Sequence, residues 1–490
     1  MAARQNIPFP PEISDAVKEK LAACRQALEH AGLLLDTPLE NLPGVDCALG
    51  FSDFISKTCI RNPTLFVDLV GRGDLENRYE PGEYARRLAS LDPIEGDTIP
   101  ALQRQLRLFR TREMVRIAWR DLAGWAGLDQ TLADLSEMAD ACVEYALGVL
   151  YAHQCRSYGA PLSRDGDQQY LVVLGLGKLG GEELNFSSDI DLIFAYDQPG
   201  KTSDEGNPIT NEDFFVRLGR SLIRTLGEKG ADGFVFRVDM RLRPDGENGP
   251  IVMSFDNMEE YYQRHGREWE RYALIKARAI AGDKAAGKRL TARLKPFVYR
   301  RYLDFGVFES LRDMKHKITL EVTRKSMQDD IKLGPGGIRE IEFFGQVFQL
   351  IRGGVSPDLQ DRRIRPVLNR LVEDGYIHPN VCTQLIEAYQ FLRNTEHRLQ
   401  EYNDQQTHKL PRAPADQKRL ALSMGFENRK DFLLSLERHR GNVQAHFSNL
   451  LETHAKEAAY CEKDATGEEL ACLWQEIDSG NPPADTLVRY

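Results

Sequence analysis

Two aspartates that follow a glycine-rich turn are the residues best placed to do chemistry. They lie in Gly175–Phe194, which reads GLGKLGGEELNFSSDIDLIF. In an extended chain alternate side chains share a face, so Asp189 and Asp191 point one way while Ile190 and Leu192 point into the sheet. Neighbouring carboxylates repel unless a cation lies between them, and oxygen ligands with no Cys or His nearby favour Mg²⁺. We therefore predict a magnesium site here.

A second segment, Val235–Leu242, is predicted to be a strand with one apolar and one ionic face. If it lies beside the first strand, Asp239 becomes a third carboxylate of a two-metal site. Arg241 and Arg243 are then candidates for binding phosphate oxygens. For either segment taken separately, a solvated acidic loop or a ladder of weak surface ion pairs is the simpler interpretation. Together with the glycine turn, the segments favour phosphoryl or nucleotidyl transfer.

The glycine turn allows other interpretations. Its G-x-G-x-x-G spacing is that of a dinucleotide-binding loop, but only residues 179–186 separate it from the next strand, too few for the full helix of that fold. A Walker A loop is excluded because Lys178 is not followed by Ser or Thr. Main-chain amides of such a turn can bind phosphate. The predicted nucleotide-binding residues are those of the turn and a following serine: Gly177, Lys178, Gly180, Gly181 and Ser188.

Composition limits the remaining possibilities. The chain has 490 residues, enough for about three domains. Its net charge of −10 disfavours nucleic-acid binding, and no apolar run is long enough to span a membrane. The first residues carry no apolar signal segment, so we expect a cytoplasmic protein. Its 8 cysteines are scattered singly, without zinc-ligand spacing.

Hydrophobic periodicity predicts helices at both ends of the chain and alternating strands and helices between them. We predict a helical region over 1–135, an α/β domain over 136–302, a second helical domain over 303–459 and an acidic linker or tail over 460–490. The individual helices are expected at 14–32, 98–125, 139–158, 211–229, 259–281, 320–332, 338–351, 364–374 and 381–402. The first two strands are expected at 170–174 and 190–196.

With these motifs in view, the sequence resembles the nucleotidyltransferase superfamily of polymerase β, which has a glycine turn, a D-x-D pair and a later aspartate. It more closely resembles the glutamine synthetase adenylyltransferase/adenylyl-removing enzymes, in Gly177–Phe194 and in Val238–Pro244. The resemblance continues in LGFSDF (49–54), WERYALIKAR (269–278), KLGPGGIREIEF (332–343) and LRNTEHRL (392–399). It implies an α+β fold with a mixed-sheet nucleotidyltransferase domain between two all-helical domains.

The resemblance also implies an activity. Members of this family carry two nucleotidyltransferase modules, and Leu184–Asp191 looks like the N-terminal, adenylyl-removing one. We expect the chain to end between the modules. The implied reaction removes AMP from a tyrosine of glutamine synthetase by phosphorolysis, uses Mg²⁺ and phosphate, yields ADP and responds to uridylylated PII signalling protein. ATP-dependent adenylyl transfer to a protein tyrosine or a small molecule, and a non-catalytic docking module, remain alternatives.

The roles of two further segments are considered next. The glycines of Lys332–Glu342 precede a helix whose first amides are candidates for a phosphate site, whereas the simpler interpretation is a turn that packs domains together. The basic residues of the 269–278 segment, Arg271, Lys276 and Arg278, are expected to be solvated or to match a helix dipole.

Overall fold

The N-terminal part of the chain is helical. The computed structural model describes residues 9–94, 98–204, 206–300 and 327–464. Its first seven α-helices are α1 Pro11–His30, α2 Val45–Phe51, α3 Asp53–Arg61, α4 Pro63–Gly71, α5 Glu83–Ala89, α6 Thr98–Leu122 and α7 Leu128–Tyr158. The predicted helices at 14–32 and 98–125 are confirmed as α1 and α6. Helix α7 runs without a break through the predicted domain boundary at residue 135.

A mixed sheet follows. Its strands and those of a small separate ribbon are β1 Pro161–Ser163, β2 Leu171–Gly175, β3 Ile190–Tyr196, β4 Gly200–Thr202, β5 Val238–Asp239, β6 Val252–Ser254 and β7 Arg278–Gly282. Strands β1 and β4 form the ribbon, and the main sheet has the order β5-β3-β2-β7 with β6 also beside β3. Strand β2 is antiparallel to β3 and β7, whereas β5 and β6 run parallel to β3.

Helices cover both faces of this sheet, so its central strands are apolar on both sides. The helices of this region are α8 Gly177–Gly180, α9 Asn211–Gly227, α10 Phe255–His265, α11 Glu268–Leu274 and α12 Lys284–Val298. Leu192 and Phe194 belong to a core shared with α6, α7 and α9. Ile193 and Ala195, on the opposite face, belong to a core shared with α10 and α12. This double burial fixes the position of β3, which carries the D-x-D pair.

The C-terminal part is again helical and has its own hydrophobic core. Its helices are α13 Ile338–Arg352, α14 Ile364–Glu373, α15 Pro379–Glu401, α16 Pro414–Ser423 and α17 Arg429–Asp464. The α+β class with flanking helical regions is confirmed. Residues 303–326, which open the predicted second helical domain, and most of the predicted tail lie outside the described residues. Within the described ranges, no helix combines the length and apolarity needed to cross a membrane.

Two secondary-structure predictions are wrong. A third, the helix over 320–332, lies outside the described residues up to 326, and its described end contains only the 3₁₀-helix Met327–Asp329. Of the strand predicted over 235–242 only β5 forms, and just after it the Asp239 carboxylate accepts the main-chain N–H of Arg241 at 2.8 Å, where the chain turns. The helix predicted over 259–281 is broken after His265 and again after Leu274. Its last residues form β7 instead, where Ile280 and Ala281 are buried and the strand pairs with β2.

Candidate active site

The structure brings the three predicted aspartates to one cavity. Strand β5 pairs with β3 in parallel, with Asp239 directly opposite Asp191. Asp189 precedes β3 by one residue. All three line a cavity of about 430 Å³ that also contacts Gly177, Lys178, Ser188 and Arg241. The short strand β5 is therefore sufficient to place the third carboxylate, although the strand predicted around it is mostly absent.

Asp189 and Asp239 each have basic partners. Arg237 Nε donates to Asp189 Oδ1 at 2.6 Å, and Gln406 Nε2 donates to Asp189 Oδ2 at 3.0 Å. The Arg241 guanidinium and main-chain N–H both bind the Asp239 carboxylate. Burial raises the pKa of Asp239, but the hydrogen bonds from Arg241 outweigh it and hold that pKa below its usual value. Two of the three carboxylates are thus oriented by hydrogen bonds from the protein.

Asp191 is different. Among the described residues, none donates a hydrogen bond to its carboxylate, and only longer-range charges act on it. Burial, followed by the negative charge of Asp239, raises the pKa of Asp191 to about 6, with Lys332 acting in the opposite direction. A carboxylate in this position gains most from a nearby cation, since a cation would offset both its desolvation and the repulsion from Asp239.

The glycine turn is shaped around Asp191. Gly177 opens α8 with a φ of +53°, and a Cβ at this position would collide with the Asp191 carboxylate. A glycine is therefore required for both conformation and space. The amides of Gly180 and Gly181 donate to the carbonyls of Leu176 and Gly177 at 2.9 and 3.1 Å, and neither glycine lines the cavity. These two amides have main-chain acceptors, and phosphate binding by them stays a prediction.

Lys178 lies in the cavity wall but points to a carboxylate from the second helical region. Its Nζ donates to Glu396 Oε1 and Oε2 at 2.9 and 3.2 Å, and the side chain is buried. Burial, which the Glu396 charge only partly offsets, lowers the pKa of Lys178 to about 7. Its geometry ties the glycine turn to α15, and a phosphate role for it stays a prediction.

The two predicted arginines have different environments. Arg241 lines the cavity, and its side chain is 70% exposed while it pairs with Asp239. Arg243 lies outside the lining, and its guanidinium donates to the carbonyls of Met240, Glu247 and Gly249. Arg243 therefore orders the turn after β5, and of the two arginines only Arg241 is in a position to meet a ligand in the cavity.

The sequence analysis missed several residues of the cavity wall, which come from α11, α13, the segments around them and the loop between α15 and α16. They are Trp269, Tyr272, Ala273, Lys276, Lys332, Glu342, Gln346 and Gln406. Most of them lie within the segments 269–278 and 332–343 that carry the family resemblance. That resemblance is the signal that points to them, whereas Gln346 and Gln406 lie outside every motif.

The basic residues of the 269–278 segment are buried or partly buried, so the expectation that they are solvated is wrong, although Arg271 does lie in the last turn of α11, where it matches the helix dipole. Lys276 Nζ is buried between Glu183 Oε2 and Glu342 Oε1, each at 3.0 Å. Arg271, which is also buried, donates to the carbonyls of Phe297 and Val298. Glu268, three residues before Arg271, is a local partner at 2.7 Å, whereas the other groups that bind these two cations lie far away in sequence, where local pattern analysis cannot detect them.

The glycines of the 332–342 segment pack against α17. The main-chain carbonyl of Arg440 occupies the space that a Cβ at Gly336 would need. The amides of Ile338 and Arg339 donate to the carbonyls of Ile331 and Lys332. These main-chain hydrogen bonds are those of a packing turn, and they use the amides that a phosphate site would require.

A second group of acidic side chains lies between α6 and α15. Asp121, His397 and Glu401 are buried, and their ligand atoms approach one another more closely than those of any other potential metal-binding group in the described ranges. Arg398 already supplies a positive charge here: it donates to Asp121 Oδ1 at 2.9 Å and to Glu401 Oε2 at 2.7 Å. We call Asp121, His397, Arg398 and Glu401 the Arg398 cluster.

Comparison with known proteins agrees with the geometry of the cavity. A family model described as glutamate-ammonia ligase adenylyltransferase matches residues 45–293. The match covers half of the chain and includes the glycine turn and all three aspartates. The chain belongs to the glutamate-ammonia ligase adenylyltransferase family. The matched segment contributes the β3 and β5 side of the cavity.

Individual relatives agree with the assignment to the adenylyltransferase family. A bifunctional glutamine synthetase adenylyltransferase/adenylyl-removing enzyme of Thioalkalivibrio sulfidiphilus is 51% identical over 457 residues, covering 93% of this chain and 46% of the relative. The corresponding enzyme of Nitrosococcus oceani is 51% identical over 444 residues, covering 90% and 46%. That of Pseudomonas aeruginosa is 46% identical over 458 residues, covering 92% and 46%. The chain spans about half the length of these relatives.

A second family model, described as GlnD PII-uridylyltransferase, matches residues 312–451. The described part of this match contains α13 to α16 and most of α17, together with Lys332, Glu396 and Gln406. The wall of the cavity in this adenylyltransferase-family chain is therefore built from both matched segments.

Proposed function

We propose that this chain deadenylylates glutamine synthetase by removing AMP from an adenylyl-tyrosine through phosphorolysis, which yields ADP. The observation that carries the proposal is the pairing of Asp191 with Asp239 across parallel strands beside Asp189 and the glycine turn. Removal is favoured over transfer because the segment 184–191 resembles the adenylyl-removing module. We call Asp189, Asp191 and Asp239 the carboxylate triad.

The triad fits divalent cations. Its ligands are hard oxygens, and Asp191 has an unmet need for positive charge because none of the described residues hydrogen-bonds its carboxylate and Asp239 lies opposite. Asp189, Asp191 and Asp239 would hold two Mg²⁺ ions. When bound, these ions would supply Lewis-acid stabilisation of the charge that develops on the phosphoryl group.

The chain's own residues bind and orient the reactants. Lys332 and Arg241 place positive charge at the cavity wall, where phosphate and the adenylyl group must meet. A phosphate oxygen forms a bond to the α-phosphorus of the adenylyl group, and the bond from that phosphorus to the tyrosyl oxygen breaks. The tyrosyl oxygen leaves with the bonding electron pair and takes a proton from water. Phosphate is already anionic near neutral pH, so this direction needs no strong general base.

The proposed protein partners follow from the same assignment. The relatives' names give glutamine synthetase as their target, and we propose it as the substrate here. The PII signalling protein in its uridylylated form is the proposed activator. We place the reaction in the cytoplasm.

The direct test incubates the chain with adenylylated glutamine synthetase, Mg²⁺ and phosphate, and measures ADP. We expect ADP release that depends on both phosphate and Mg²⁺. Incorporation of labelled AMP from ATP into unmodified synthetase, without ADP release in the first assay, would instead identify an adenylyltransferase. Full regulatory function in a variant that lacks all three aspartates would identify a docking module and contradict the proposal.

A further inference from the structure

The loop between α15 and α16 contacts the N-terminal helical region. We refer to residues 402–410 as the 402–410 loop. The carbonyl of Tyr402 accepts the main-chain N–H of Phe54 at 2.9 Å. Arg110 of α6 binds both carboxylate oxygens of Asp404, at 2.5 and 3.0 Å, in a pair whose side chains are only 6% and 11% exposed. These contacts fix the first half of the loop against α3 and α6.

The other half of the loop is fixed to the second helical region. Ile331 donates its main-chain N–H to the carbonyl of His408 at 2.9 Å, and the N–H of Leu410 donates to the carbonyl of Asp329 at 2.9 Å. His408 Nδ1 lies 2.9 Å from Glu396 Oε1, the same carboxylate that holds Lys178. The loop is therefore anchored on both helical regions at once.

Between these two anchors the loop reaches the carboxylate triad. Gln406 Nε2 donates to Asp189 Oδ2 at 3.0 Å, while Arg237 from the segment before β5 holds the other oxygen. The orientation of Asp189 thus depends on one donor from the nucleotidyltransferase region and on one from a loop held by the helical regions. Hydrogen-bond partners of ligating carboxylates orient them, and their loss typically weakens metal binding 10- to 100-fold.

We propose that Gln406 is a positioning residue for Asp189 and that the 402–410 loop couples the packing of the two helical regions to cation binding at the carboxylate triad. The inference rests on the proposed function only in taking Asp189 as a metal ligand. A protein partner that shifts α6 relative to α15 would move Asp404 and, with it, the Gln406 amide. The loop therefore gives the carboxylate triad a regulatory input through the Gln406 amide, while His408 and Glu396 connect the same loop to Lys178 of the glycine turn.

The first test measures Mn²⁺ binding to the full chain by electron paramagnetic resonance, without substrate. Gln406→Met keeps the side-chain shape but loses the donor, and we expect it to weaken Mn²⁺ binding about 10-fold. Gln405→Met is the matched control, because Gln405 is also exposed, lies in the same loop and does not line the cavity. We expect it to bind Mn²⁺ as the wild type does.

The second test asks whether the distant anchor acts through Gln406. Asn tolerates the left-handed φ of +50° at Asp404, so Asp404→Asn removes the charge while keeping the turn. We expect weaker Mn²⁺ binding in Asp404→Asn, and little further loss when Gln406→Met is added, since both act on one contact. If Asp404→Asn lowers the unfolding midpoint, Asn403→Ala replaces it, because its contact with Lys57 is exposed.

The outcomes separate this inference from the proposed function. Wild-type Mn²⁺ affinity in Gln406→Met, or losses that multiply in the double variant, would overturn the coupling. Absence of Mn²⁺ binding by the wild-type chain would also overturn it. If the variants lose Mn²⁺ affinity as expected but the chain releases no ADP from adenylylated glutamine synthetase, the proposed function is overturned and the coupling stands.

Discussion

The carboxylate triad and the Arg398 cluster are both groups of partly or fully buried acids, but they are neutralised differently. In the Arg398 cluster the guanidinium of Arg398 contacts both carboxylates, and burial raises the pKa of Glu401 well above its usual value. The triad is more open, and Asp191 has no hydrogen-bond donor among the described residues. Acidic groups that pair with a cation of the chain itself have a structural role. An acidic group such as Asp191, which has no such partner, is available to bind a metal ion.

The most sensitive test of this contrast is to remove the charge of the Asp191 carboxylate. Asp191→Asn should lower the rate of deadenylylation about 10⁴-fold, a size common for loss of one member of a catalytic unit. The free energy of unfolding should change little, because the carboxylate has no partner to lose. ADP release and urea unfolding measure the two effects.

Asp197→Asn is the control for that variant, since Asp197 follows β3, pairs with Arg289 and does not line the cavity. It should retain wild-type activity. Activity retained in Asp191→Asn with Mg²⁺, or a large loss of stability, would erase the distinction between the two groups.

The second prediction concerns the Arg398 cluster. Arg398→Met leaves Asp121 and Glu401 buried without their cation, and breaking such a buried pair costs about 3–5 kcal/mol of unfolding free energy. Urea unfolding followed by circular dichroism measures the loss. Arg264→Met, which breaks the exposed Arg264–Glu260 pair, should cost about 1 kcal/mol or less. Equal effects of the two variants would contradict the structural role assigned to the cluster.

A third prediction tests whether the glycine turn is shaped around Asp191. Gly177→Ala combines a strained positive φ with displacement of the Asp191 carboxylate, and it should cost about 1–3 kcal/mol of stability together with a clear loss of activity. Gly166→Ala shares a positive φ, at +89°, but its Cβ would enter open space. It should lower stability without lowering the rate of ADP release, whereas parallel losses of activity in both variants would indicate strain alone.

The smallest expected effect comes from the cavity wall. Lys332→Met removes a positive charge from the wall opposite Asp191, and it should raise the KM for phosphate about 10-fold, as expected for loss of one charge-assisted contact. Steady-state kinetics with varied phosphate measure it. Arg339→Met is the control on the neighbouring helix turn, outside the cavity lining. An unchanged KM for phosphate in Lys332→Met would show that Lys332 does not bind phosphate.

Local sequence patterns predicted much of the fold and the acidic part of the site. Periodicity located α1 and α9, because each buries one apolar face, and a continuous apolar run located β3, which is buried on both faces. It also located α6, although residues 113–122 of that helix are all buried. Parity along β3 and around Asp239 placed the triad in one cavity. Parity overestimated the length of β5, because the Asp239 side chain binds the main-chain N–H of Arg241 just after the two strand residues.

The remaining part of the site depends on contacts between distant segments. Lys276 meets Glu183 and Glu342, and Lys178 meets Glu396, across separations that no local pattern encodes. Gln406 shows the limit most clearly, because its amide contacts Asp189 across 217 positions of the sequence. The segments that carry the family resemblance indicated where such residues lie, but not which carboxylate each one holds.

The most direct test of the account is a crystal structure of the chain with Mn²⁺ and ADP, with anomalous scattering measured at the manganese edge. The account predicts anomalous peaks for Mn²⁺ ions that are coordinated by the oxygens of Asp189, Asp191 and Asp239, and no peak at the Arg398 cluster. Peaks at Asp121 and Glu401, with none beside Asp191, would contradict it.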